Sequence, residues 1–459
     1  MEQFLSVILA AGMGTRMKSK KPKVLHQVCG KMLCEWVIEA AKQAGAHKVV
    51  TVIGHGADMV KESLGGITEF ALQAEQLGTG HAVMQALQDI EAVRGGYVVI
   101  LNGDTPLVSE KTIREAVAFH KEFKNCATVL TAVLADASGY GRIVRNSAGD
   151  VVKIVEQKDA NESELAITEV NSGMYVFCAD DLIEALSQVT NDNAQGEYYL
   201  TDTLEILIKS GRKVGAFTVD DSDEIRGIND RAQLAEAKLI MQKRINRMHM
   251  FAGVTMLNPE TVHIQADVEI GQDTTIHQNV VLNRGTKIGS DVTIGVNTQI
   301  TNSVIHDGVD ILNSVIVDSE IEEGAHIGPF AYIRPNSVVG KHVKVGDFVE
   351  LKNARIGEGT KISHLTYIGD AIVGKDVNFG CGTITVNYDG KKKYTTVIGD
   401  HAFIGCNTNL ISPVTVNRNA YIAAGSTITD EVPENALAIA RSKQVNKTDW
   451  QDKRSGDKE

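Results

Sequence analysis

From Ile264 onward an aliphatic residue returns at every sixth position: Ile264, Ile270, Ile276, Leu282, Ile288, Ile294 and Ile300. The count resumes at Ile321, Ile327, Ile333, Val339, Val345 and Leu351, shifts to Ile356, Ile362 and Ile368, and runs again through Ile398, Ile404, Leu410, Val416, Ile422 and Ile428. Neither an α-helix nor an ordinary strand repeats at six. An apolar residue at this interval, often followed by Gly and turn formers, is the signature of a parallel β-helix whose coils stack on one another. At about 18 residues per coil, roughly 170 residues stack about nine rungs of ~4.8 Å into a prism of about 45 Å. One excursion, Thr385 to Thr396, leaves the count before Ile398 restores it, and it holds Asn387-Tyr388-Asp389-Gly390 and the run Lys391 to Lys393. A loop leaving a prism is a natural wall for a site.

Everything before about residue 252 must build its own core, and 459 residues are long for one domain. With 46 basic against 58 acidic residues and a net charge of -12, a sequence-independent grip on nucleic acid is not expected. Phe4 to Ala10 is apolar but lacks the basic leader and length of an export signal, and it reads as a buried strand. No run approaches the eighteen apolar residues of a membrane span, so no membrane insertion is expected. Cys29, Cys34, Cys126, Cys178, Cys381 and Cys406 are scattered without paired spacing, which predicts reduced thiols in a cytoplasmic protein and no zinc site.

The amino half alternates short aliphatic runs, Phe4 to Leu9, Val49 to Ile53 and Tyr97 to Leu101, with helical patterns at Leu33 to Ala44 and His81 to Leu87. That alternation predicts an α/β fold with a largely parallel sheet, with function at the strand carboxyl ends. Two segments follow strands in this way: Ala10-Ala11-Gly12-Met13-Gly14-Thr15-Arg16 and Asn102-Gly103-Asp104. Asp230 can cap a helix with Gln233 at its third position, and Arg231 to Met250 is rich in helix formers. The expected organisation is a first domain over 1–230, a linker helix over 231–251 and a β-helix domain over 252–459.

The Gly loop fits neither common nucleotide motif. Met17 stands where the dinucleotide fingerprint needs a third Gly, and the P-loop spacing is absent. What remains is a Gly-rich turn with Arg16, Lys21 and Lys23 downstream, able to cradle an anion or simply to turn the chain. The full string Leu9-Ala10-Ala11-Gly12-Met13-Gly14-Thr15-Arg16-Met17, followed by Pro22-Lys23, resembles the signature of sugar-nucleotide pyrophosphorylases. These enzymes join a sugar 1-phosphate to a nucleoside triphosphate and release pyrophosphate. Both substrates are anionic, so their repulsion must be cancelled, and Arg16 and Lys23 are the candidate catalytic cations. Asp104 at a strand end suits Mg2+ held partly by phosphates, or a turn cap; Asn229 offers a second oxygen or is itself a cap.

Taken over nearly its whole length, the chain resembles the bacterial bifunctional N-acetylglucosamine-1-phosphate uridyltransferase/glucosamine-1-phosphate acetyltransferase family. The resemblance implies a Rossmann-like nucleotidyltransferase domain, a linker helix and a left-handed parallel β-helix of hexapeptide repeats. On the uridyltransferase side it implies substrate binding by Leu9, Ala10, Ala11, Gly12 and Lys23, with uracil contacts from Gln73, Gly78 and Thr79 in Gln73-Ala74-Glu75-Gln76-Leu77-Gly78-Thr79-Gly80. It likewise implies sugar contacts from Gly141, Glu156 and Asn171, and Mg2+ ligation by Asp104 and Asn229. The shared segment Asn193-Ala194-Gln195-Gly196-Glu197-Tyr198-Tyr199 carries no assigned step. On the acetyltransferase side, Arg334 and Lys352 match holders of the sugar phosphate, Tyr367, Asn378 and Asn387 match its other sugar contacts, and His364 matches the general base. Tyr388, Cys381, Cys406, Ala424 and Arg441 match the acetyl-coenzyme A side, although some relatives carry Ala and Ser where Cys381 and Cys406 stand.

A base is chemically necessary there. The amine of glucosamine 1-phosphate is mostly ammonium at neutral pH and has no lone pair for a thioester, and imidazole titrates in the right range to take its proton. His26, His81, His277, His326, His342 and His401 read as surface residues, and buried thiols are the commoner fate for Cys381 and Cys406. The leading reading is UDP-N-acetylglucosamine synthesis from glucosamine 1-phosphate, acetyl-CoA and UTP through N-acetylglucosamine 1-phosphate, supplying precursor for peptidoglycan and other envelope polymers. Two others are a monofunctional pyrophosphorylase with a structural or regulatory β-helix, and a binding protein without turnover. The resemblance also implies a homotrimer, and the polar tail beyond Arg441, with Lys443, Lys447, Lys453 and Arg454, reads as loosely ordered.

Overall fold

The computed structural model describes residues 4–193 and 195–455. The chain divides into two compact units, Met1–Met241 and Gln242–Glu459.

The first unit is built on one sheet whose strands lie in the order Val214–Thr218, Ala127–Val133, Glu169–Cys178, Tyr97–Asn102, Phe4–Ala10, Ala46–Ile53 and Glu69–Leu72. Phe4–Ala10 is central because nearly all of it is buried, with apolar layers on both faces. It pairs in parallel with Ala46–Ile53 on one side and Tyr97–Asn102 on the other. The sheet is more mixed than the alternation predicts: Glu169–Cys178 runs antiparallel to both of its neighbours. That strand follows the hairpin Arg142–Arg145/Val151–Val155, whose first strand also pairs with it, so a local return reverses its direction. The expected helix at His81 to Leu87 is split into Thr79–Met84 and Leu87–Glu91. His26, expected at the surface, is buried, its Nδ1 lying 3.3 Å from an Arg231 guanidinium nitrogen. Burial, then the Arg231 charge, pushes its pKa down.

The helix Arg231–Phe251 contributes residues to both units. Its start is fixed by Asp230, whose side chain accepts from Gln233 N at 2.9 Å, while Gln233 Oε1 accepts from Asn229 N at 2.7 Å. Its later residues cover the open edge of the first coil: Gln242 donates to the Ile264 carbonyl at 3.0 Å and Asn246 to the Val262 carbonyl at 3.0 Å. Those edge carbonyls would otherwise need another strand or water.

In the second unit short parallel strands stack coil upon coil. Ile276 stands beside Ile294 and Ile294 beside Ile311, a step of 18 then 17 residues. Of the repeat aliphatics, all but the half-buried Ile270 are buried. The apparent gap between Ile300 and Ile321 is no break, since Ile305, Ile311 and Ile316 fill it, each at most 1% exposed. Here some prism edges are five residues long rather than six, which hides them from a strict count. Corners are turned by residues at positive φ, mostly Asn and Asp such as Asn279, Asn297 and Asp318. Asn279 donates to Asn297 at 3.1 Å and Asn302 to Asp318 at 2.7 Å, so corner side chains ladder as the backbone does. Near the end of the chain Leu437–Ala438 pairs with Tyr421–Ile422, and Trp450–Ser455 forms a short helix in the tail expected to be loose.

Ile294 is fully buried between coils far in sequence from any proposed catalytic residue. Ile294→Ala should cost about 2–5 kcal/mol by denaturant unfolding of the carboxyl unit. A cost below about 0.5 kcal/mol would mean that the prism interior is not close-packed there.

Candidate functional site

The first site forms where the sheet changes winding direction. Leu9 and Asn102 are register partners at the carboxyl ends of adjacent parallel strands whose next strands, Ala46–Ile53 and Ala127–Val133, lie toward opposite edges of the sheet; a reversal of strand order is the usual ligand position in an open α/β sheet. Leu9 passes directly into Ala10, Ala11 and Gly12, and Gly103 N donates to the Leu9 carbonyl at 2.9 Å. A Cβ on Gly103 would lie 3.1 Å from that oxygen, 3.2 Å from Ala10 Cβ and 3.3 Å from Cys34 Sγ, so close approach of the two loops depends on glycine. Gly14 has φ 61°, and a Cβ there would lie 2.7 Å from Lys23 Cβ.

Lys23 donates to the Asp104 carboxylate and, at 3.1 Å, to Asn229 Oδ1. Ile228 N bonds the Asp104 carbonyl at 2.9 Å, which ties the 227–229 turn to the Asp104 loop. One hollow of about 460 Å³ is lined by Arg16, Asp104, Tyr140 and Asn229 among others. An adjoining cavity of about 550 Å³ brings together Leu9, Thr79, Glu156 and Asn171, and shares Asn102 and Gly139 with the first. Burial, then Asp159, pushes the Glu156 carboxyl pKa up. Gly141 adjoins the cavity, its carbonyl accepting from Asn171 N at 2.9 Å. Gln73 is buried, with Nε2 donating to the Gly78 carbonyl at 3.1 Å and standing 3.1 Å from His81 Nδ1. Thr79 Oγ1 accepts from Leu200 N at 3.1 Å. The segment left without a role in the sequence supplies cavity wall: Gln195, Glu197 and Tyr199 line it, and Tyr198 N bonds the Leu77 carbonyl at 2.8 Å. Ala194 lies outside the described residues.

The second site is arranged in columns, one residue per coil. The registers Ile333 to Leu351 and Lys352 to Gly369 set Arg334, Lys352 and Gly369 level on one face. Arg334 bonds Glu350 at 2.7 Å, and Lys352 Nζ stands 4.0 Å from Asp370. Asn387 donates to the same Asp370 carboxylate. The Cβ that Gly369 lacks would fall 2.3 Å from Tyr367 Oη and 2.8 Å from Asn387 Nδ2, so both polar groups lie over that bare backbone. The excursion is a hairpin, Tyr388 bridging to Lys393 and Asp389 N bonding the Lys392 carbonyl at 3.2 Å. It brings Lys393 against Lys352, and this cationic neighbour, then burial, pushes the Lys352 pKa down. Lys393 is a member of this cluster that the sequence offered only as part of a lysine run.

At the preceding corner a second column forms. Asp347 pairs in register with His364. The registers Ile362 to Phe379 and Tyr367 to Ile384 set His364 level with Cys381; Phe379 to Ile404 and Ile384 to Asn409 set Cys381 level with Cys406; Ile404 to Ile422 sets Cys406 level with Ala424. Asp347 Oδ1 lies 2.7 Å from His364 Nδ1, and the imidazole holds the Asp347 pKa below the usual carboxylate value. Asp347 is absent from the sequence-based candidates because only coil register brings it to His364. Both cysteines are exposed, against the expectation that they are buried, because their corner turns outward. Within one chain Asn378 lies on the face before that corner, between Lys361 and Phe403, apart from the Arg334–Lys352 cluster. Tyr388 is exposed in the hairpin, and Arg441 Cδ comes within 3.8 Å of where a Gly425 Cβ would be.

Residues 5–228 match the nucleotidyl transferase family model, 316–402 the GMPPB C-terminal domain model, and 395–430 six repeats of the bacterial transferase hexapeptide model. Over 450 residues the chain is 57% identical to the bifunctional protein GlmU of Acetivibrio thermocellus, covering 98% of this chain and 97% of that protein. It is 54% identical over 454 residues to the bifunctional protein GlmU of Caldanaerobacter subterraneus subsp. tengcongensis, covering 99% of each. The chain belongs to the GlmU family. It is a bifunctional transferase of UDP-N-acetylglucosamine synthesis, combining a uridyltransferase with an acetyltransferase. A third GlmU, from Brevibacillus brevis, is 53% identical over 456 residues, 99% of this chain and 98% of that protein.

Gly103→Ala tests the loop contact at the first site. The added methyl must push the Leu9 and Asp104 loops apart, so the amino unit should lose about 1–3 kcal/mol in denaturant unfolding, with uridylyl transfer reduced. Unfolding and activity both equal to those of the parent would show that the loops have room to spare.

Proposed function

We propose that the amino unit carries the uridyltransferase centre and the carboxyl unit the acetyltransferase centre, in domains over 1–230 and 252–459 joined by the helix of 231–251. Glucosamine 1-phosphate is N-acetylated from acetyl-CoA first. N-acetylglucosamine 1-phosphate then attacks the α-phosphorus of UTP and pyrophosphate leaves. The observation that carries the acetyltransferase assignment is the pairing of Asp347 with His364 on the coils that also bear Arg334 and Lys352. A β-helix serving only as scaffold has no use for an oriented imidazole beside stacked cations.

At the first centre Arg16 and Lys23 offset the repulsion between triphosphate and sugar phosphate. Gln73, Gly78 and Thr79 read the uracil, and Gly141, Glu156 and Asn171 the amino sugar. Asp104 and Asn229 would hold Mg2+: their oxygens already converge on one cation, the Lys23 ammonium, and one carboxylate plus one amide suits a hard ion completed by phosphates and water. When bound, Mg2+ supplies further positive charge at the reacting phosphates.

At the second centre Arg334 and Lys352 hold the sugar phosphate, with Tyr367, Asn378 and Asn387 on the sugar. The Asp347 carboxylate keeps the proton on His364 Nδ1 and leaves Nε2 to accept one from the substrate ammonium. The freed amine attacks the thioester carbonyl, the tetrahedral intermediate collapses with cleavage of the C–S bond, and the coenzyme A thiolate leaves, taking up the proton that the attacking nitrogen gives off as it becomes an amide. Tyr388, Cys381, Cys406, Ala424 and Arg441 form the acetyl-CoA side. We further propose a cytoplasmic homotrimer, in which a second copy supplies the groups that Asn378 stands too far around the prism to join. In the described residues no helix is long and apolar enough to cross a membrane.

Crossed substitutions test the assignment. His364→Ala should cut acetyl transfer by about 10²–10⁴-fold and leave uridylyl transfer intact; Asp104→Ala should do the reverse. Loss of both activities from either change would contradict separate centres. Asp347→Asn should slow acetyl transfer about tenfold and alter its pH profile, with the acceptor KM little changed. An unaltered profile would reduce Asp347 to a surface ion pair.

A further inference from the structure

Cys381 and Cys406 occupy the same corner of successive coils. The registers Phe379 to Ile404 before the corner and Ile384 to Asn409 after it set the two cysteines level, and Asn407 N bonds the Cys381 carbonyl at 2.7 Å between them. The coils are pressed together here, since a Cβ on Gly380 would lie 2.4 Å from Cys406 N. Stacked parallel strands at ~4.8 Å place the two Cα atoms within the span of about 4.4–6.8 Å that a disulfide accepts. Both thiols are free and exposed, and His364 is the next residue in the column.

We propose that Cys381 and Cys406 are a dithiol modification site that small-molecule disulfides close into a Cys381–Cys406 bond, and that the closed form blocks acetyl transfer. The blocking rests on the reading of this corner as the acetyl-CoA side. In the first step one cysteine thiolate attacks the disulfide RSSR, its S–S bond breaks, and one RS⁻ leaves to take up the proton released by that cysteine. In the second the other cysteine attacks the protein-bound sulfur of the mixed disulfide and expels a second RSH. The two protein thiols lose two electrons and two protons, and RSSR is reduced to two RSH. Closure draws the sulfurs to about 2.05 Å and changes the surface beside His364 that the thioester arm would meet.

The other four cysteines are poor competitors, because attack runs through the thiolate. Cys29, Cys34 and Cys126 are buried. Burial pushes their thiols up to about 11, 12 and 12. Burial likewise pushes the half-buried Cys178 up to about 11.

The test treats the full-length protein with oxidised glutathione and follows three readouts: a non-reducing peptide map, acetyl transfer and uridylyl transfer. The expected result is a Cys381–Cys406 cross-linked peptide, loss of acetyl transfer with uridylyl transfer retained, and recovery with dithiothreitol. Cys381→Ala and Cys406→Ser, each compared with its own untreated rate, should be insensitive. The inference is overturned by absence of the cross-link, by a cross-linked protein that still transfers acetyl groups, or by inhibition that persists in either single variant. Absence of acetyl transfer before any treatment would instead remove the acetyltransferase assignment.

Discussion

Parallel hydrogen bonding of each coil onto the next is the constraint on which the carboxyl unit depends. Once Ile294 is fixed beside Ile276 and Ile311, every outward position on those coils is fixed with it. A side chain at a corner therefore meets its equivalents above and below rather than its neighbours in sequence. This turns Asp347, His364, Cys381, Cys406 and Ala424, spread over some eighty residues of chain, into one ladder. It likewise stacks Arg334 on Lys352, two cations that the proposed phosphate would bridge.

The first unit reaches its arrangement by different means. Its side chains are held at strand ends by loops that approach each other closely, and glycine at 14 and 103 permits the approach. Lys23, Asp104 and Asn229 come from three distant stretches and meet because the strands before them are adjacent or because the 227–229 turn bonds back to Asp104. A loop site of this kind tolerates rearrangement around a large substrate; a prism corner does not. The triphosphate reaction, which must gather two anions and a cation, suits the former. Transfer of a small acetyl group past a fixed imidazole suits the latter.

Much of this was legible in the sequence where the signal is local. The six-residue period gives the prism, and the Gly loop gives the strand end at which Leu9 meets Asn102. What was hidden depends on pairing between distant segments. The five-residue edges ending at Ile305, Ile316 and Ile321 escape a strict count because the register adjusts one residue at a time. Asp347 has no motif of its own, and only its coil neighbour gives it meaning. The antiparallel Glu169–Cys178 strand follows from a hairpin partner, not from its own pattern. Cys381 and Cys406 read as small core thiols until the corner turns them outward. The Gln195–Tyr199 stretch becomes cavity wall only because Tyr198 bonds back to Leu77.

The most direct measurement supplies unmodified protein with glucosamine 1-phosphate, acetyl-CoA, UTP and Mg2+, and follows free coenzyme A thiol and pyrophosphate in one reaction. The expected record is thiol release first, pyrophosphate after a lag, and final amounts of the two that match. Pyrophosphate release that begins without a lag and without any thiol would contradict the account, because the imidazole and cations of the prism would then have no reaction to perform.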